Sequence, residues 1–207
     1  MTGAAGGAQF AVADLASVEF EQETTPWLMM AERLRAFLDN VAAMPADDRL
    51  VAELDETLET WNKRLAPAAV GEGERTFGRA MRAHGRGQTM APKIVYEHVD
   101  ATGAEGTVRF GSYFLGRNGA AHGGAIPLMF DEILGRLSNA GGRAVGRTAY
   151  LKTDYRAITP VDTELRVHAW LVSEEGRKRV LRAELRHGDV LCAEAEGLFI
   201  ALRPGQP

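Results

Sequence analysis

The sequence predicts an α+β fold, an antiparallel sheet wrapped around one buried helix and preceded by a helical hairpin. Three observations carry this. Residues 25–65 hold two stretches with apolar side chains at i, i+3, i+4 spacing; from Lys93 the period changes to two; and one apolar run near 122–139 interrupts the strand pattern.

The elements follow in order. Residues 1–10 are rich in Gly and Ala and are expected to be mobile. Thr25-Pro26 reads as a helix start, a capping hydroxyl followed by Pro at the first helical position. Trp27, Met30, Leu34, Phe37, Leu38 and Val41 form its stripe, and Pro45 ends it. A second helix begins near Asp47, carries Leu50, Leu54, Leu58, Trp61 and Leu65, and stops before Pro67. The two stripes are expected to dock on the main domain or on a partner subunit. Residues 71–92 lack a sustained period and read as a linker; Arg75, Arg79, Arg82 and Arg86 there fit a solvated charge run or contacts to an anionic ligand. Strands are expected near 93–100 and 105–113, then the helix, then strands near 147–158, 163–174, 178–187 and 190–202. Short turns at Glu175-Gly176 and His187-Gly188-Asp189 make the last three a meander. The expected organisation is therefore tail and hairpin (1–70), linker (71–92) and main domain (93–203).

Composition narrows the function. The chain has 207 residues, 45% hydrophobic and 25% charged, enough for one domain with an extension. Its net charge of −4 argues against a nucleic-acid binder. Residues 1–70 hold 12 acidic and 5 basic side chains, whereas 71–207 hold 16 and 19, so the two parts differ in character. Cys192 is the single cysteine, which excludes an internal disulfide and a cysteine metal cluster. No apolar run reaches the ~20 residues that span a bilayer, and the start lacks a basic region before an apolar core. The expected location is the cytoplasm. Among catalytic signatures, G-x-S-x-G, the P-loop and G-x-G-x-x-G are missing, and the five histidines are scattered. No metal or cofactor is expected.

The chemical signal lies in residues 114–135, FLGRNGAAHGGAIPLMFDEILG. Two Gly follow His122 where the apolar helix begins, and the first helical N–H groups have no partner within the helix. Free amides at the positive end of the helix dipole suit a carbonyl oxygen that becomes negative during acyl transfer. Asp131 interrupts the apolar run and, inside a buried helix, needs a partner or a task. His122 and Asp131 are nine residues apart, about 2.5 turns and ~13 Å along a helix. One chain cannot easily bring them to one site, so joint catalysis requires two chains across a two-fold interface.

The run His122-Gly123-Gly124-Ala125-Ile126 with Asp131 resembles the PaaI-like branch of hotdog-fold acyl-CoA thioesterases. Arg147-Thr148-Ala149, Leu151, Asp154-Tyr155-Arg156, Thr159-Pro160, and Glu194-Ala195 to Phe199-Ile200 continue the likeness over about residues 93–203. The resemblance implies a hotdog fold and hydrolysis of a fatty acyl-CoA to free acid and coenzyme A, without cofactor, by a homodimer or dimer of dimers. It implies that Asp131 activates water or attacks the thioester, and that the Gly123 N–H polarises the carbonyl. His122 would orient the loop or the thioester, and Thr148 would place the water. Gly124 and Asn118 would contact substrate, although relatives often carry Asn six residues before the His, where this chain has Gly116. Lys152, Arg156 and Arg177-Lys178-Arg179 are candidates for the coenzyme A phosphates. Two other readings stand: a non-catalytic acyl-CoA binder or sensor, and an enoyl-CoA hydratase, which would need His where Arg136 stands.

Overall fold

The structure, a computed structural model, describes Phe20 and residues 25–206. The expected mobility of residues 1–10 lies outside these residues. Thr25 caps α1 (Pro26–Ala43), its hydroxyl accepting from Leu28 N at 3.3 Å. α1 lies over the segment 84–91 and the turn at 112–114: Leu28 and Ala31 are buried, Trp27 Nε1 donates to Gly87 O, and Asp39 accepts from Tyr113 N at 2.9 Å. Asp47 caps α2 (Asp48–Leu65) through the amides of Arg49 and Leu50. α2 buries none of its residues. Leu50, Leu58, Trp61 and Leu65 of its stripe stay exposed, and Leu50 and Leu54 border a groove against Phe37 and Val41 of α1, so α1 docks on the main domain as expected and α2 does not.

The strands are β1 (Ile94–Val99), β2 (Gly103–Arg109), β3 (Leu115–Arg117), β4 (Ala120–Ala121), β5 (Gly146–Tyr155), β6 (Glu164–Glu175), β7 (Lys178–His187) and β8 (Val190–Ala201). Six form an antiparallel sheet in the order β1-β2-β6-β7-β8-β5; β3 and β4 form a small hairpin that periodicity did not reveal. Three residues are too few to show a period, and the hairpin instead depends on its turn. Asn118 (φ 54°) and Gly119 (φ 74°) both take left-handed backbone, the conformation of a two-residue hairpin turn that suits this pair.

α3 (Ala125–Ser138) lies across the concave face of the sheet, with Met129, Phe130, Ile133, Leu134 and Leu137 fully buried against Leu165, Leu181, Leu185 and Phe199. A helix apolar on most of its circumference needs such a wrap. The side left uncovered is narrow: Leu128 and Asp131 are exposed, with Glu132 and Gly135 partly so. Buried Arg179 on β7 ties the far end of α3, donating to Ser138 O and Ala144 O at 2.8 Å each and to Glu174 Oε1 at 2.8 Å. Cys192 is buried in β8 as a small core residue, and burial pushes its thiol up. Among the described residues no helix is long and apolar enough to cross a membrane, and no cluster of three or more His, Cys, Asp or Glu is arranged to hold a metal.

Candidate active site

The uncovered side of α3 meets the edge strand β5. Thr148 donates its hydroxyl to Asp131 Oδ1 at 2.8 Å, joining two residues 17 positions apart. A β-bulge makes this contact possible. Thr148 pairs with Phe199 and Tyr150 with Leu198, so Ala149 is the extra residue, and the local twist re-aims the strand. The carboxylate is exposed in the single chain, not buried as the apolar run suggested, because the sheet stops short of this face. Its Oδ2 stays open to solvent chemistry, and the threonine oxygen retains lone pairs for a water.

At the opposite end of α3 the His122-Gly123-Gly124 turn is fixed by its own hydrogen bonds. His122 N donates to Phe114 O at 2.7 Å, and Ala125 N donates to His122 O at 2.9 Å. In a trans peptide the C=O and the next N–H point in opposite directions. Locking His122 O into the first helical turn therefore turns the Gly123 N–H outward, and that N–H has no acceptor among the described residues. The following peptide is held at both ends: Tyr155 OH donates to Gly123 O at 2.6 Å, and Gly124 N donates to His122 Nδ1 at 3.0 Å. The His122 ring thus accepts through Nδ1, which leaves Nε2–H as the donor of the neutral imidazole. Gly124 spends its amide inside the loop, while Gly123 presents its own.

The backing of this loop explains Gly116. A Cβ there would lie 3.0 Å from His122 Cα and 3.2 Å from His122 N, so a side chain at this position would crowd the histidine backbone and Gly lets β3 pass behind it. Asn118 sits at the hairpin tip.

Tyr155 is the residue sequence reasoning missed. It ends β5, half exposed, and nothing in strand alternation marks a hydroxyl that reaches across to a loop 32 residues earlier. Replacing Tyr155 by Phe removes one hydrogen bond, about 1 kcal/mol, and frees the 123–124 peptide. The expected result is a roughly fivefold lower kcat for the reaction proposed below with KM little changed. A fall in Tm with unchanged kcat would reduce Tyr155 to a structural strut.

Several expected phosphate contacts are already engaged. Lys152 pairs with Asp154 at 3.0 Å, Arg156 with Glu194 at 2.5 Å, Arg177 with Ala201 O at 2.9 Å, and Arg179 is buried. Arg86 is not simply solvated either: it meets Glu132, the neighbour of Asp131, at 2.6 Å. Arg136 is buried, donates to Met81 O at 2.8 Å and stacks its guanidinium over Tyr96 at 4.7 Å, so a structural arginine fills the position where a hydratase would need His.

Residues 118–195 match the sequence profile of the thioesterase superfamily. A segment of 96 residues is 38% identical to acyl-coenzyme A thioesterase THEM4 of Bos taurus; it covers 45% of this chain and 39% of that protein, so the chain spans about two fifths of its curated relative. The crystal structure of a thioesterase superfamily protein, RHA08564, superposes with a TM-score of 0.73 at 24% identity over 89% of this chain and 95% of that one. The Streptococcus mutans UA159 protein smu.793, solved bound to acetyl CoA, superposes with a TM-score of 0.50 at 17% identity over 53% of this chain and 88% of that one. These two likenesses establish the fold: a mixed α+β hotdog, with the sheet wrapped on α3. Residues 118–195 thus carry the superfamily's sequence profile on a fold shared with these solved structures.

Proposed function

We propose that this chain is an acyl-CoA thioesterase that works as a homodimer. The observation that carries the reading is the Thr148–Asp131 hydrogen bond at 2.8 Å, which leaves one carboxylate oxygen and the threonine lone pairs facing solvent together. A water accepted there loses its proton to Asp131 as its oxygen attacks the thioester carbonyl. The carbonyl oxygen becomes negative and is held by a Gly123 N–H; the C–S bond then breaks, and the coenzyme A thiolate leaves and takes up a proton.

The two halves come from different copies. Asp131 lies seven residues beyond Gly124, roughly 10 Å along α3, too far for one thioester to touch both in a single chain. β5 is an edge of the sheet, with Arg147, Thr148, Ala149 and Tyr150 exposed. An unpaired edge invites a second strand. Antiparallel pairing with the same strand of a second copy would bring Gly123 of the partner subunit across from Asp131. His122 Nε2–H is available to orient the carbonyl, and Asn118 stands near enough in sequence to the loop to flank it. The kinship with an acyl-coenzyme A thioesterase supports the substrate class.

The test is thiol release from a panel of acyl-CoA thioesters, with sedimentation in parallel. Turnover by a dimer is the expected result. Binding of acyl-CoA without thiol release would favour the sensor reading, and full turnover by a monomer would remove the shared site.

A further inference from the structure

Asp131 and Thr148 lie at the wall of a cavity of about 270 Å³, also lined by Met81, Arg86, Glu132, Arg136, Arg147 and Phe199. That volume is at or below the lower end of the pockets that hold drug-sized ligands, ~300–1,000 Å³, and suits a short acyl group. Its charge does not suit a fatty one. Three arginines face two carboxylates there, one of which is Asp131 itself. Glu132 has a side chain 8% exposed and is taken by Arg86 at 2.6 Å, with Arg136 at 3.8 Å. Arg147 makes no hydrogen bond or ion pair among the described residues, and Arg86 Nε is buried without an acceptor. Covering Arg147 with a hydrocarbon chain would strip its water and return nothing.

We propose that the acyl group accepted by this site ends in a carboxylate, held by Arg147 and Arg86. This rests on the reading of Asp131 as the group that activates water. The phosphates of coenzyme A are common to every acyl-CoA, so a preference between two acyl groups of equal length reports the acyl end alone. Arginine is the side chain that grips a carboxylate with paired N–H donors.

The proposal gives the N-terminal part of the chain a task. Arg86 stands outside the segment that matches the superfamily, and its backbone is left-handed at φ 53°, a costly conformation for a residue with a Cβ. Arg35 on α1 holds that turn by donating to the carbonyls of Gly85, Gln88 and Ala91. α1 thereby presses the turn against α3, and the residue it delivers is Arg86, beside the catalytic carboxylate. The extension builds the wall that selects the acyl group.

Thiol release from adipoyl-CoA and hexanoyl-CoA, six carbons each, tests this. The wild-type protein is expected to favour adipoyl-CoA at least tenfold in kcat/KM. Arg147→Gln, checked by sedimentation to keep the wild-type assembly because Arg147 lies on the β5 edge, is expected to lose most of that preference through a KM for adipoyl-CoA raised about tenfold. Arg147→Lys keeps the charge and should retain part of it. Equal or better turnover of hexanoyl-CoA by the wild type, or a preference untouched by Arg147→Gln, overturns the inference and leaves the thioesterase reading standing. Thiol release from neither thioester also overturns the inference, while the thioesterase reading is decided by the wider acyl-CoA panel.

Discussion

Asp131→Asn is expected to lower kcat for acyl-CoA hydrolysis by about 10²–10⁴-fold, the range in which a positioned base contributes, with KM little changed. The amide keeps the size of the side chain and can still meet the Thr148 hydroxyl, but it cannot take a proton from water. Because Asp131 is exposed and the amide can keep the Thr148 hydrogen bond, the variant should fold with an unchanged Tm, and its loss is then chemical. Thr148→Val is the companion, matching the shape of Thr without its hydroxyl. It should cost about tenfold in kcat, less than Asp131→Asn, because water loses one of two anchors. Single-turnover thiol release separates the chemical step from product release. If Asp131→Asn turns over every acyl-CoA at the wild-type rate, this carboxylate is not the base.

The largest effect on stability is expected at Arg179. Its side chain, 4% exposed, gives one guanidinium to three acceptors: Ser138 O at the end of α3, Ala144 O in the loop before β5, and Glu174 on β6. Glu174 in turn accepts from Arg143 at 2.8 Å, and Arg143 reaches Ala101 O at 2.8 Å. The cluster ties the C-terminus of α3 to the β6–β7 hairpin and the β1–β2 turn, with the cation at the negative end of the helix dipole. Arg179→Met fills much of the volume but takes this donor from the buried Ser138 carbonyl and the partly buried Ala144 carbonyl, and leaves Glu174 without its partner on β7. A cost of about 3 kcal/mol follows, and at 2–4 °C per kcal/mol for a chain of this size Tm should fall by roughly 6–12 °C. Lys178→Met, one residue away and exposed, should stay within ~0.5 kcal/mol. Equal melting curves for the two variants would show that the cluster contributes nothing.

Acid tests the same cluster. The Arg179 hydrogen bond, against a smaller opposing effect of burial, holds the Glu174 carboxyl below the usual carboxylate range. A depressed folded-state pKa means that the unfolded chain binds the proton more readily. The contribution of Glu174 is then complete above its unfolded value and is lost as pH falls through the lower folded value. Arg179→Met should flatten that acid limb of stability.

What the sequence made legible was whatever a short window can express. Thr25-Pro26 and Asp47 cap α1 and α2 where they stand because a cap is a contact between residues three apart. β6, β7 and β8 are found within a residue or two because alternation persists over ten or more positions and the turns hold Gly. His122-Gly123-Gly124 marked the start of α3 for the same reason. The β3–β4 hairpin escaped because it is too short for any period, although Asn118-Gly119 was in plain view as its turn.

The sequence by itself determined the long elements, their order, the helix that the sheet must cover, and the acid and glycine that carry the proposed chemistry. Only the folded chain decided that the bulge at Ala149 turns Thr148 onto Asp131, that Tyr155 fixes the Gly123 peptide, and that Arg86 arrives beside Glu132. Each of these contacts joins residues 17 to 46 positions apart. Local pattern records which way a side chain faces along its own element. It holds no record of which distant element will meet that face, because that follows from how the whole sheet closes over its helix.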